Sequence, residues 1–295
     1  MSSNAVLNVE NEQFLGQYIP IHYHHQMLAD EFRMSALKAA IEIMVPLGGK
    51  VLDLGAGTGA LSFFAALKAS KVYAVEQLPE LVQYAKVFLE ANGCADKVDL
   101  IETDAMTYLP PEPVDVVICE MLHAGLLREK QLEIVQSFKA RYREKFGDVM
   151  PLFLPFATVM GVEPATANFS FEGFKAPIPL FESIRSPEPR STPLGEAHPY
   201  AFVEYQDDFA VTFDFEHTFM LTASGQFNAL RFLTKNVLAI IPDQDTYIDW
   251  MNQNLTLPLK TPLNGQVGEL YKVTFSYAAG GQIEELQNSI EVTKV

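Results

Sequence analysis

The stretch "VLDLGAGTGA" at residues 51–60 sets glycines at 55, 57 and 59 directly after an apolar run. An apolar run that ends this way reads as a buried strand feeding a tight turn and then a helix. Such a unit calls for parallel neighbours joined by helical crossovers. "KVYAVE", "VDLIETD" and "VDVVICE" read as those neighbours, and "ALSFFAALKA" and "PELVQYAKVFLEANG" as helices between them. Upstream, Met27, Met34, Leu37, Ile41 and Met44 recur at helical spacing, and Gly48 and Gly49 close that helix. The expectation for residues 1–155 is therefore a parallel α/β sheet.

After "MPLFLPFATV" the pattern changes. Short alternating runs such as "FAVTFDFEHTFML", "ALRFLTKNVLAII" and "ELYKVTFSYAAGGQIEEL" are separated by Pro, Gly and Asn. These predict mostly antiparallel strands of a barrel or sandwich over residues 156–295. Residues 165–200 are rich in Pro, Ser and Gly, and read either as a linker or as an arm that docks elsewhere.

The glycine stretch also constrains the ligand. Dinucleotide sites need G-x-G-x-x-G and a pyrophosphate at the helix N-terminus. Here the spacing is G-x-G-x-G and Asp53 precedes it. A carboxylate at that place repels a pyrophosphate but suits a cofactor carrying an ammonium group, as S-adenosylmethionine does. Glu76 ends the next strand, where an acid can grip both ribose hydroxyls. Asp104, followed by Ala105, ends the strand after that, within reach of an adenine amine. Any one of these acids could merely cap a helix. Three at successive strand ends favour a cofactor site built from Asp53, Gly55, Gly57, Glu76, Asp104 and Ala105.

The chain has 295 residues with 37 acidic and 21 basic side chains, a formal net charge of −16. Such a surface repels nucleic acid and anionic membranes, and attracts small cations. Two cysteines, Cys94 and Cys119, form no disulfide framework and no metal-site spacing. His22, His24 and His25 lack a completing set of ligands, so no metal is expected. With no basic-then-apolar leader in the opening residues, a cytoplasmic location is expected.

"VVICEMLHAGLLREKQ" (116–131) poses a separate problem. Glu120 follows a core strand at once, and Glu129 comes nine positions later. A carboxylate at the end of a core strand is costly unless a cation or donor meets it. Simple answers exist: Glu129 as a solvated residue of a helix's first turn, Glu120 paired with Arg128.

Two features resemble the protein arginine methyltransferases. "FLGQYIPIHYHHQMLADEFRM" (14–34) looks like that family's N-terminal helix region, with Phe14 and Tyr18 at the ends of its aromatic pattern. Leu15 stands where the family has Phe. His24 and Arg33 match cofactor-covering positions, and the resemblance implies that Arg33 pairs with the methionine carboxylate. Glu120 and Glu129 match the family's loop of two glutamates nine apart. The resemblance further implies a class I methyltransferase (Rossmann-like) domain, a C-terminal β-barrel, a dimerisation arm near 165–200 and a homodimer. Met121, Leu122 and His123 replace the family's loop aromatics, and "IDW" (248–250) places Asp249 where the family has His, beside Trp250. Tyr18, His123, Asp249 and Trp250 are the implied acceptor-pocket residues.

Together these lines lead to an S-adenosylmethionine-dependent methyltransferase with Glu120 and Glu129 as its catalytic pair. Two carboxylates match the planar donors of a guanidinium and hold one nitrogen toward the methyl group. The altered loop leaves open an amide, amine or hydroxyl acceptor on a peptide or metabolite. A cofactor-binding module without catalysis is also open, though such a module needs neither glutamate.

Overall fold

The computed structural model describes residues 19–295. Helices α1 (Ile21–Ala29) and α2 (Glu31–Met44) precede strand β1 (Lys50–Leu54), α3 (Ala60–Ala66), β2 (Lys71–Glu76), α4 (Pro79–Ala91), β3 (Val98–Glu102), β4 (Val116–Cys119), α5 (Gln131–Phe146) and β5 (Leu152–Leu154). The five strands form one sheet in the order β3-β2-β1-β4-β5, and every ladder in it is parallel. The order reverses between β1 and β4, so the C-terminal ends of these two strands flank the crevice where open α/β sheets bind ligands.

One helix was expected upstream of β1, and there are two. Asp30 leaves the helical region (φ −75°, ψ 90°) and its carboxylate accepts from the Arg33 amide at 3.0 Å. The methionine spacing continues across the break, but the cap wins. The break puts Arg33 in the first turn of α2 and swings α1 over the ends of the strands.

The second half comprises β6 (Ala157–Ala167), a small hairpin of β7 (Ser170–Phe171) and β8 (Phe174–Lys175), then β9 (Leu180–Glu182), β10 (Ser191–Pro193), β11 (His198–Glu204), β12 (Thr212–Met220), β13 (Gly225–Ile241), β14 (Thr246–Met251), β15 (Asn254–Gly265), β16 (Leu270–Ala278), helix α6 (Ile283–Ser289) and β17 (Glu291–Lys294). Its main sheets are antiparallel: a seven-stranded one centred on β6, β13 and β15, and a three-stranded one of β12, β16 and β17. Among the described residues no ladder closes these sheets into a ring, so the expected barrel is an open pair of sheets. Helix α6 replaces the last of the expected strand, where Gly280 and Gly281 turn the chain. Residues 165–200 are docked on their own chain, β9 beside β15 and β10 beside β6.

The two halves share their cores. Leu37, Ala40 and Ile41 of α2 belong to one apolar cluster with Leu238 and Ala239 of β13. The segment between the two glutamates joins another with Phe232 and Tyr277. Lys139 of α5 reaches across and donates to the carbonyls of Tyr205, Gln206 and Asp207 at 3.2, 3.1 and 2.5 Å.

Within the large sheet, Arg231 Nε meets Glu163 Oε1 at 2.5 Å, with side chains 16% and 8% exposed. Removing one member of a buried pair strands the other charge. Glu163→Ala should therefore destabilise the protein by on the order of 3 kcal/mol in urea unfolding. A loss below about 0.5 kcal/mol would place the pair with ordinary surface bridges.

Candidate active site

The strand ends of β1, β2 and β4, covered by α1 and α2, enclose a cavity of about 460 Å³. That is ample for a nucleoside cofactor. Its floor is the glycine turn, which runs through left-handed backbone at Gly55 (φ 78°) and Gly57 (φ 54°). A side chain at Gly57 would also come within 2.9 Å of His24 Cε1, and one at Gly55 within 3.1 Å of Met121 Sδ. The turn must be glycine both for its φ and for what lies over it.

Glu76 lines the cavity, and its two oxygens accept from the Gly57 and Leu78 amides, both at 2.9 Å. Asp104 lines it as well, bonded to the Met106 amide at 2.8 Å, with Ala105 alongside. His24 reaches in from α1. Burial lowers the pKa of its imidazole, and Nε2 is buried without a hydrogen-bond partner among the described residues. An orphaned ring nitrogen against a glycine turn, with two strand-end acids opposite, fits an adenosyl cofactor whose polar groups complete those bonds.

Asp53 was expected to face this cofactor and does not line the cavity. It lies beneath the turn, 1% exposed, where Oδ2 accepts from the Ser62 hydroxyl at 2.6 Å. Burial, with Glu120 and Glu76 nearby, pushes its pKa to about 7 despite that bond. Asp53 thus ties β1 to α3.

Arg33, Glu120 and Glu129 all line the cavity. The Arg33 guanidinium pairs with Glu120, bonds the Met27 carbonyl at 3.3 Å and stands 5.6 Å from the centre of the Trp250 ring. The partner implied for Arg33 was a methionine carboxylate; here it is Glu120. Among the described residues Glu129 has no such bridge. Burial and the neighbouring Glu120 charge drive its pKa up to about 8, against the pull of Arg33 and Arg128. Burial raises that of Glu120 too, opposed by Arg33.

The backbone between the glutamates is unusual. Gly125, Leu126 and Arg128 have φ of 66°, 54° and 64°, a conformation that side chains resist. The β half holds it there. The Gly125 amide donates to Thr234 Oγ1 at 2.7 Å and its carbonyl accepts from the Tyr277 hydroxyl at 2.8 Å. The Leu126 carbonyl accepts from the Gly280 amide at 2.8 Å, and the Arg128 amide donates to the Gly281 carbonyl at 2.9 Å.

Of the acceptor-pocket residues, His123 and Trp250 line the cavity. His123 Nδ1 lies 3.1 Å from the Ala124 carbonyl, and burial pushes the pKa of the ring down to about 4, which leaves it neutral. Asp249 is not there: it pairs with Lys235 at 2.8 Å. Tyr18 lies outside the described residues. Phe181, Asn252 and Lys130 line the cavity without having been expected. Phe181, edge-on to His123 with centroids 5.5 Å apart, arrives through the β9–β15 pairing, which no local pattern announces.

A carboxyl group whose folded pKa is raised costs stability as pH climbs from its unfolded value to its folded one. For Asp53 that window runs from 3.8 to about 7, and for Glu129 from 4.5 to about 8. Stability of the ligand-free protein should thus fall as pH rises from 5 to 8, by up to about 1.4 kcal/mol per pH unit for each group. Glu129→Gln should flatten the stretch between pH 7 and 8 and roughly halve the slope below it, where Asp53 still contributes. Thermal melts across this range check it; an unchanged slope there would return Glu129 to an ordinary pKa.

The Methyltransferase domain family matches residues 51–144. A protein of Methanothermobacter thermautotrophicus is 31% identical over 91% of this chain and 97% of its own. An arginine N(omega)-methyltransferase of Streptomyces achromogenes is 32% identical over 44% of this chain, and the match spans only 37% of its length. The Trypanosoma brucei PRMT1 enzyme-prozyme complex with AdoHcy shares the fold, with a TM-score of 0.69 over 92% of this chain and 96% of that one, at 18% identity. The chain belongs to the class I methyltransferases built like the protein arginine methyltransferases, and it is an S-adenosylmethionine-dependent enzyme.

Proposed function

We propose that the enzyme methylates a guanidino or similar cationic side-chain nitrogen. The observation that carries this reading is the pair of half-buried carboxylates, Glu120 and Glu129, opening on one cavity beside Arg33. With Glu129 held protonated by burial, the pocket is short of positive charge. An incoming cation restores the balance and draws both groups back to their ionised forms.

The cofactor supplies a methyl group on a positively charged sulfur. His24, Arg33, Gly55, Gly57, Glu76, Asp104 and Ala105 are the residues placed to hold it. Glu120 and Glu129 then fix the acceptor plane by paired hydrogen bonds, aim one nitrogen and attract positive charge toward the other two. His123 and Trp250 wall the acceptor. An amide or hydroxyl acceptor brings no charge to two half-buried carboxylates, and Asp249, which stands where the family has His, is engaged with Lys235. The name of the Streptomyces relative points the same way.

We infer the division of labour from the same frame: residues 1–155 serve the cofactor, and 156–295 serve the acceptor and assembly. A homodimer is proposed because the β7–β8 hairpin leaves Phe174 73% exposed, while α4 presents Val87 at 59% beside the exposed Tyr84 and Phe88. Contiguous exposed apolar side chains mark interaction surfaces.

Glu120→Gln and Glu129→Gln keep shape and remove charge. Each should lower methyl transfer to arginine acceptors by about a hundredfold or more while S-adenosylhomocysteine affinity holds. The double variant should be little worse than the worse single one. Turnover within a few-fold of wild type in both would make the glutamates structural. Sedimentation at micromolar concentration tests the assembly: a dimer is expected, reduced to a monomer on removal of residues 168–178. A monomeric intact protein overturns it.

A further inference from the structure

Eight residues, three of them in left-handed backbone, separate Glu120 from Glu129, yet one side chain ties the two ends together. Gln131, the first residue of α5 and 1% exposed, stands two positions beyond Glu129. Its Nε2 donates to the Cys119 carbonyl at 2.6 Å and its Oε1 accepts from the Met121 amide at 2.9 Å. These are the peptide groups immediately on either side of Glu120. The partners leave no ambiguity in the amide's orientation, since a carbonyl only accepts and an amide N–H only donates.

The clamp is itself held. The buried Tyr205 hydroxyl stands close to the Gln131 side chain. Tyr205 meets Thr158 Oγ1 at 2.9 Å, Thr158 donates to Asn236 Oδ1 at 3.0 Å, Asn236 donates to Asn252 Oδ1 at 2.5 Å, and Asn252 donates to the Leu122 carbonyl at 2.7 Å. With Thr158 giving its one proton to Asn236, the donors run one way, from Tyr205 just after β11 through β6, β13 and the turn after β14 to the loop two residues past Glu120. A chain with every link satisfied has one arrangement, and polarises each member in the same sense. Packing alone would be met by an apolar residue at 131.

We propose that Gln131 is a positioning residue for methyl transfer, its side-chain amide fixing the Glu120 carboxylate at a set separation from Glu129. This rests on the proposed role of the two glutamates. Gln131 touches neither acceptor nor cofactor in this reading; it acts through the backbone of Glu120. Misplacing a reacting group by about 1 Å costs on the order of a hundredfold in rate.

The test compares full-length wild type with Gln131→Leu, which keeps the volume and loses both bonds, and with Tyr205→Phe, which removes only the relay hydroxyl. Three readings are taken: hydrogen exchange at the Met121 amide, carbon-13 titration of the Glu129 carboxyl, and methyl transfer from labelled S-adenosylmethionine to free L-arginine and to an arginine peptide. In Gln131→Leu the Met121 amide should exchange faster and Glu129 should titrate at lower pH as Glu120 drifts away. Turnover should fall by about a hundredfold with S-adenosylhomocysteine affinity unchanged. Tyr205→Phe should move all three readings the same way by less, and it carries the test if Gln131→Leu does not fold. Wild-type turnover, or an unmoved Glu129 titration, in the variant overturns the proposal. If wild type itself transfers to neither acceptor, the acceptor reading falls, and Met121 exchange with the Glu129 titration still decides the role of Gln131.

Discussion

Two carboxylates forced together out of water are the constraint on which the rest of this structure turns. Glu120 and Glu129 repel each other across a shared cavity, and burial pushes both toward their neutral forms. Left to itself, a loop carrying such a pair would swing one of them into solvent. Here it cannot, because the β half holds the intervening backbone by four hydrogen bonds at Gly125, Leu126 and Arg128. The antiparallel sheets are thus part of the site. They keep an electrostatically unfavourable arrangement in place, the usual relation between local strain and a rigid surround.

The cofactor side follows a related logic. Arg33 lines the cavity paired with Glu120 and set beside Trp250. Its location is due to the Asp30 cap, which breaks the helix three residues before it and starts α2 at Glu31. One guanidinium therefore links α2 to the loop that carries Glu120. Asp53, expected to grip the ligand directly, instead fastens strand to helix beneath the glycine turn.

Much of this was legible, for reasons particular to each residue. Glycines at 55 and 57 announce a turn because no other residue takes that φ beneath a covering side chain. Glu76 and Asp104 announce a ligand because strand ends on one edge of a parallel sheet converge. Asp249 misled because motif position was read without strand alternation: on β14, neighbouring residues face opposite ways, so Trp250 meets the cavity and Asp249 meets Lys235. Asp30 was hidden by a methionine pattern that continues through the break. Gln131, Asn252 and Phe181 were illegible, since their partners lie tens of residues away and only the folded chain brings them together.

The loop between the glutamates is gripped twice, by the core packing of Leu122, Leu126 and Leu127 and by its own peptide groups. Thr234, Tyr277, Gly280 and Gly281 bond amides and carbonyls that every amino acid other than proline can offer. Part of the loop's path is thereby separated from its composition. Met121 and His123, which line the cavity and are only half-buried, can change without redirecting that backbone, reshaping the cavity wall while both carboxylates stay in place. A scaffold of this kind can take on new substrates one side chain at a time.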